Sequence, residues 1–437
     1  MRHILPIALN QLGALLFGLI GIKLISQLVS PGVYGAYALF LTLTQLGPML
    51  THSGLSNHAA RYWQRERPQA GAYAWFLWVR SWRDAVWLGP VLAMTGAGLL
   101  LAQKEIVWIW LLPLLFLSNV VTGIQTIALA ALNASERFWR MFWLGTIASG
   151  ARVFLPLVAV MATSATLLHL CLGFTAHALL VLACIVALFW WVRRPAGRDV
   201  ETERRWRTEL RDYGRPYILM GVGAWLLANA DRWIVASFFG EEQAGLFALA
   251  SGMAAVAPTL ALGGLMQVVF PKVFREADAA RTRDDWERLA KQCDRMTLLF
   301  LGLSLAGLAG LCVLGPYMLG WLVAPKYAPA LVILLPAGCG VITAQVNQFQ
   351  YLLLQGQHNS SGMVKVMAVV AASKTLGTIL AALISWRAVL TWLILSVAVN
   401  WLLGRWLIRS MALGKSLPTG EPGAGSDATQ PESWTSS

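Results

Sequence analysis

The chain has 437 residues, 57% of them hydrophobic and only 13% charged. A soluble protein carries about 25% charged residues, so a water-soluble globular fold is excluded as the body of this chain. The net charge of +13 would suit a nucleic-acid partner, but the cations are gathered in the segments between apolar runs, which excludes that reading in favour of membrane topology and contact with lipid.

A helix that crosses a bilayer needs about 20 consecutive apolar residues. Twelve such runs follow one another, at 4–29, 34–57, 85–102, 106–131, 141–163, 165–192, 216–239, 245–270, 296–323, 329–355, 363–385 and 388–409. Long unbroken runs predict helices, because membrane strands are short and alternate in polarity. The first run follows Met1-Arg2-His3, is too long for a signal peptide and ends without a clear small-residue cleavage site, so it reads as an uncleaved first helix. The expected fold is all-α and polytopic, with about 12 transmembrane helices.

With the N-terminus on the cytoplasmic side, 26 of the 34 Lys and Arg residues fall in cytoplasmic segments and three (Lys104, Lys326, Arg387) in outer loops. This positive-inside bias predicts that both termini are cytoplasmic. Tryptophans near span ends, such as Trp108, Trp190, Trp321 and Trp386, fit interfacial belts. Two cytoplasmic segments read as amphipathic helices on the inner leaflet, with solvated connectors as the alternative. In 271–295 the apolar face is Trp286, Leu289 and Cys293; in 58–84 it is Trp75, Phe76 and Trp78. The arginine-rich stretch 193–215 predicts a charged linker between an N-terminal six-helix bundle, 1–192, and a C-terminal one, 216–409. Residues 410–437 end in a run rich in Pro, Gly, Ser and Thr and predict a disordered cytoplasmic tail.

The two halves are related. Sliding the first forward by 210 residues puts Gly35 on Gly245, Ala38 on Ala248, Leu39 on Leu249, Pro48 on Pro258, Gly54 on Gly264 and Leu55 on Leu265. The shift carries span two onto span eight. An even number of helices separates the copies, so the repeats are parallel, and two six-helix bundles around a central cleft are the expected architecture.

Four cations lie within the apolar spans, Lys23, Arg152, Arg232 and Lys374, against one carboxylate, Asp231. Charge in hydrocarbon is costly, so such residues face a bundle interior or a wet cavity. The excess of cations predicts a cavity for an anionic ligand, with Arg61 at the end of span two as a further candidate. Lys23 and Arg232 fall at nearly the same level of the two halves, because the 210-residue shift carries Lys23 to Trp233. Local balance of Arg232 by Asp231 and snorkelling of Lys23 are the competing readings. Asp231, Gln345 and Gln348 are polar cavity candidates; the two glutamines are three apart and share a helical face, in a run (Thr343, Gln345, Asn347, Gln348, Gln350) that also suits interhelical hydrogen bonds. His169 and His177 read as structural. The five cysteines form no CxxC pair, and no metal site, cofactor or catalytic motif is expected.

The turn Ser30-Pro31-Gly32-Val33-Tyr34-Gly35-Ala36-Tyr37, Gly54-Leu55 and Arg61-Tyr62 of span two, Asp231-Arg232, Ala244-Gly245-Leu246-Phe247 and Pro271 together resemble a Wzx-type polysaccharide flippase. That is a branch of the superfamily that also holds the multidrug and toxin extruders. The resemblance covers roughly 1–410; Ala244 departs from it where the first repeat has Tyr34. It implies alternating access between two bundles in the bacterial inner membrane, with no enzymatic chemistry. It also implies a cationic cavity for the pyrophosphate and sugars of a polyprenyl-linked oligosaccharide, the lipid tail staying in the bilayer. The products would be surface polysaccharides such as O-antigen or exopolysaccharide, and the partners membrane lipids and polymerase or other assembly proteins. Two other readings stay open from the residues: a multidrug extruder of organic cations, and a membrane transferase of lipid-linked sugars.

Overall fold

The computed structural model describes residues 4–89, 107–189, 200–357 and 359–414. Among them every regular element is a helix. The first half holds α1 (Ile4–Leu28), α2 (Pro31–Gly47), α3 (Ser53–Tyr62), α4 (Ala70–Ala85), α5 (Leu112–Ala134), α6 (Phe138–Ala162) and α7 (Leu167–Leu188). The second holds α8 (Val200–Ala254), α9 (Val256–Ala279), α10 (Arg283–Leu322), α11 (Leu334–Gln345), α12 (Gln348–Gly356), α13 (Ser360–Ile384) and α14 (Trp386–Leu413). Nine helices among the described residues are long and apolar enough to cross a membrane, or ten if the bent pair Pro325–Leu331 and Leu334–Gly356 is one span. This is a multi-pass membrane protein. The expected span 85–102 and the tail from 415 lie almost wholly outside the described residues.

Local chemistry sets several boundaries. Pro31 opens α2, where a missing N–H costs nothing because the first amides of a helix have no partner. Thr166, Asn359 and Ser385 cap α7, α13 and α14 through their side chains. The helical segment Pro216–Met266 has 51 residues, about 77 Å at 1.5 Å per residue, more than twice a hydrocarbon core of about 30 Å. It therefore has to turn back, and it does so at Gly240, whose φ of 87° and ψ of 169° lie where only glycine is at ease. The two sequence-related prolines mark equivalent irregularities: Pro48 begins a π-helical turn, Pro48–His52, and α8 breaks at Ala255 three residues before Pro258.

The halves meet most extensively along α2 and α8. A Cβ on Gly35 would lie 1.9 Å from the Glu241 carbonyl oxygen, and one on Gly245 would lie 1.9 Å from that of Pro31. The residues that the 210-residue shift superimposes thus touch each other, as residues beside a pseudo-twofold axis do. Further along, Trp233 Nε1 donates to Thr42 Oγ1 and Trp225 Nε1 to the Thr42 carbonyl, both at 2.8 Å, and Ser53 Oγ bonds the Tyr217 carbonyl. Across the chain ends nearest Gly35, Tyr327 Oη donates to the Val29 carbonyl (3.0 Å), Lys326 Nζ to that of Gln27 (3.1 Å) and Ala324 N to Ser26 Oγ (3.2 Å).

Two connectors differ from expectation. Residues 200–215, read from sequence as linker, continue the helix of the next span, because Trp206 and Leu210 are buried against Trp63, Tyr73 and Phe76. The start of α10 does present Trp286, Leu289 and Cys293 on one face, but that face is buried in the protein core, with Trp286 close to Gly356, instead of lying on lipid. In α4, Phe76 turns inward with Tyr73, while Trp75 and Trp78 line an apolar cavity of about 320 Å³ with Trp63, Ile127 and Phe189.

Candidate functional site

Two of the expected cations converge. Arg152, on α6 of the first half, and Arg232, on α8 of the second, lie close enough to interact electrostatically with each other and with the Tyr34 hydroxyl. The surroundings are aromatic. The Arg152 guanidinium lies 6.0 Å from the Phe174 ring centroid, Phe174 packs edge-on to Phe40, and Tyr34 packs edge-on to Tyr327 at 6.2 Å. His177 is buried on α7 beside Phe174. Beside Tyr327 a cavity of about 220 Å³ is lined by Leu249, Met253, Ala324 and Leu334.

Lys23 shares this level. Gly21, two residues earlier on α1, abuts Val153, the neighbour of Arg152. Lys23 is half-buried. The three residues therefore sit in one layer of the bundle, near the end that carries the Ser30 and Tyr327 turns.

Lys374 corrects the sequence reading. Its side chain is 1% exposed, and its Nζ lies 2.7 Å from Asp231 Oδ2 and donates to the carbonyls of Leu227 (2.6 Å) and Gly340 (3.1 Å). Thr378 Oγ1 donates to Asp231 Oδ1 at 3.1 Å. This is a complete ion pair between α8 and α13, inside the second half. Lys374 is thus no cation awaiting a ligand, and Asp231 is its partner while also acting electrostatically on Arg232. The physical reason is helical: residues 231 and 232 are about 100° apart on α8, so Asp231 faces α13 while Arg232 faces the first half.

Arg61 stands apart from the rest. It is exposed at the end of α3, with its guanidinium 5.5 Å from the Tyr62 ring centroid, some 40 Å along the second span from Tyr34 at 1.5 Å per residue. Gln345 and Gln348 are half-buried, on either side of a turn at Val346 and Asn347. Their neighbours serve packing. Thr343 Oγ1 lies 2.8 Å from Ser396 Oγ, Asn347 Nδ2 donates to the Asn400 carbonyl, and Gln350 Nε2 donates to Asp294. Asp294 in turn receives Arg405 through two nitrogens and Arg409 through one. Gln345 Oε1 is buried without a partner.

Sequence reasoning missed Tyr34, Phe174 and Tyr327 as members of the layer. They are distant in the chain, and their types give no sign that they meet. Among the described residues no cluster of His, Cys, Asp or Glu could hold a metal, and the cysteines are free.

The described residues thus form two helical halves joined along α2 and α8, with Arg152 and Arg232 contributed by opposite halves. The sequence profile described as "Polysaccharide biosynthesis protein" matches residues 24–332, and the chain belongs to that family. No curated protein matches the sequence significantly. In fold it is similar to an inward-facing multidrug resistance MATE family transporter of the MOP superfamily (TM-score 0.61, 14% identity, covering 95% of this chain and 99% of that one). An outward-facing MATE transporter matches at TM-score 0.59 and 15% identity over 94% and 95% of the chains. So does a MOP superfamily transporter from Pyrococcus furiosus, described as having a binding pocket of reverse polarity, at 0.57 and 14% over 94% and 95%. The expected all-α fold is therefore found.

Proposed function

We propose that this protein is a flippase that moves a polyprenyl-pyrophosphate-linked oligosaccharide from the inner to the outer leaflet of the bacterial inner membrane, by alternating access, for surface polysaccharide assembly. The observation that carries the reading is the meeting of Arg152 and Arg232 from opposite halves beside Tyr34, while the neighbouring carboxylate, Asp231, is held by Lys374. Asp231, which acts on Arg232, is also the partner of Lys374, so positive charge exceeds negative in this layer. A pyrophosphate diester would supply the balance, and guanidinium forks pair with phosphate oxygens through two parallel hydrogen bonds. Lys23, in the same layer, adds a third positive group. The surrounding rings of Tyr34, Phe174 and Tyr327 offer an apolar body with polar tips, suited to sugar faces and hydroxyls. Membership of a polysaccharide-biosynthesis family supports the same cargo class.

The basic end, with Arg65, Arg205 and Arg405, is cytoplasmic in this reading, as positive-inside bias requires. The Tyr327 and Gly35 contacts then seal the outer end. A drug extruder handling organic cations needs a carboxylate available to its ligand, and Asp231 is occupied.

The test is Arg152→Gln and Arg232→Gln, singly and together, in cells that depend on this protein, with membrane abundance measured alongside. The expected result is normal abundance, loss of surface polysaccharide and a pool of lipid-linked intermediate at the inner leaflet. Full surface polysaccharide in the double variant would contradict the reading, as would an unchanged polysaccharide accompanied by lost resistance to cationic drugs.

A further inference from the structure

A second basic site lies far from the first. The first turns of α8 carry two faces. Trp206 and Leu210 dock on Tyr73 and Phe76. Arg204, Arg207, Thr208 and Arg211 follow the i, i+3, i+4, i+7 spacing of one helical stripe and line a groove of about 400 Å³. The groove is closed on its other sides by Arg80 and Asp84 of α4 and by Thr51 and Gly54 of the second span. At its floor Gly54 and Gly214 touch backbone to backbone. The lining thus holds four guanidiniums and two hydroxyls against a single carboxylate. Asp84 is committed to Arg80 at 2.9 Å. Arg207 pairs with Glu203 (2.6 Å) and Arg211 with Asp212 (3.0 Å), carboxylates outside the groove lining, and both arginines are exposed, where ion pairs are weak and readily exchanged. Arg204 has no carboxylate partner among the described residues.

The position of the groove names its occupant. Leu219, next to the lining residue Ile218, and Trp82, Val86 and Trp87, flanking Asp84, are exposed apolar side chains. In a bilayer they face lipid, with tryptophans at headgroup level. The mouth therefore opens at the membrane interface, where an anionic headgroup is anchored beside it, and a free solute gains nothing from that flank.

We infer that this groove binds the phosphate headgroup of a membrane lipid, at a site separate from the Arg152 and Arg232 layer. Residue 208 lies about 36 Å from residue 232 along α8 at 1.5 Å per residue. The inference holds whatever the transported cargo is. It assigns the arginine stripe a ligand beyond topology: a phosphate held between α4 and α8 by convergent guanidinium forks.

The experiment uses the full chain in detergent, titrated with phosphatidic acid and read by native mass spectrometry as lipid adducts. Three proteins are compared: wild type, Arg204→Gln/Arg207→Gln/Arg211→Gln, and a control of equal charge loss, Arg283→Gln/Arg288→Gln/Lys291→Gln. Each charge-assisted hydrogen bond is worth roughly tenfold in affinity, so the groove variant should bind phosphatidic acid at least about tenfold more weakly while the control is unchanged. Arg204→Gln alone, which leaves the ion pairs of the segment intact, should show a several-fold loss and decides the matter if the triple variant misfolds. Inorganic pyrophosphate at millimolar concentration should not displace the lipid. Unaltered binding in the groove variants, an equal loss in the control, or full displacement by pyrophosphate would overturn the assignment.

Discussion

Lys374 shows what one buried pair does. A lysine at bilayer depth is tolerable here because Asp231, Thr378 and two backbone carbonyls surround the pair. Removing one partner of a buried pair strands the other, at a cost of about 3–5 kcal/mol, whereas replacing both with apolar residues of similar size is often neutral or stabilising. Lys374→Ala should therefore lower the thermal midpoint in detergent markedly, and Lys374→Met with Asp231→Leu should recover most of it. If Lys374→Ala melts like the wild type but abolishes transport, the lysine serves the cargo and its structural role is wrong. The contrast with Arg152 and Arg232 is instructive. The three look alike in the sequence, and what sets Lys374 apart is the carboxylate that pairs with it from another helix. That depends on helix rotation, which a chain of apolar residues with weak periodicity does not reveal.

At the level of elements, the α2 and α8 contact rests on the absence of side chains. A methyl on Gly35 or Gly245 would meet backbone oxygens that cannot move aside, whereas one at Gly32 or Gly252 would meet nothing within 4 Å. Overpacking of a tight contact costs about 1–3 kcal/mol. Gly35→Ala and Gly245→Ala should thus destabilise the protein or block transport, and Gly32→Ala and Gly252→Ala should do neither. Equal behaviour of all four in a melting and transport assay would contradict the close approach. Gly240→Ala should cost about 1–3 kcal/mol by itself, since its backbone conformation is strained for any residue with a Cβ. The spans were legible in the sequence because apolar length alone specifies a crossing. The shared prolines and glycines of the repeat pointed to equivalent positions. The partners of the connectors were not legible: Trp206 lies in a stretch that reads as linker and Trp286 on a face that reads as lying on the inner leaflet, and only the packed structure shows that each is a buried anchor.

At the scale of the whole molecule, the two halves touch at the Gly35 end through Tyr327, Lys326 and Ala324 on one side and the Ser26–Val29 backbone on the other. The alternating access proposed above requires that these contacts be released in each cycle. Gln27→Cys with Lys326→Cys, bridged by a short thiol reagent, should stop transport reversibly, while each single cysteine should not. Continued transport in the bridged protein would show that this end does not open. The charge asymmetry belongs to this scale too: basic residues gather at the opposite end, and two arginines from different halves stand in the layer between.

The most direct test of that central pair is side-specific translocation in proteoliposomes holding the purified full chain. A labelled polyprenyl-pyrophosphate oligosaccharide is placed in one leaflet, and its appearance in the other is followed by glycan accessibility. Wild type should move it, Arg152→Gln/Arg232→Gln should not, and the same vesicles should not drive uptake of an organic cation. Undiminished movement of the labelled lipid by the double variant, or cation transport by the wild type in its place, would contradict the account.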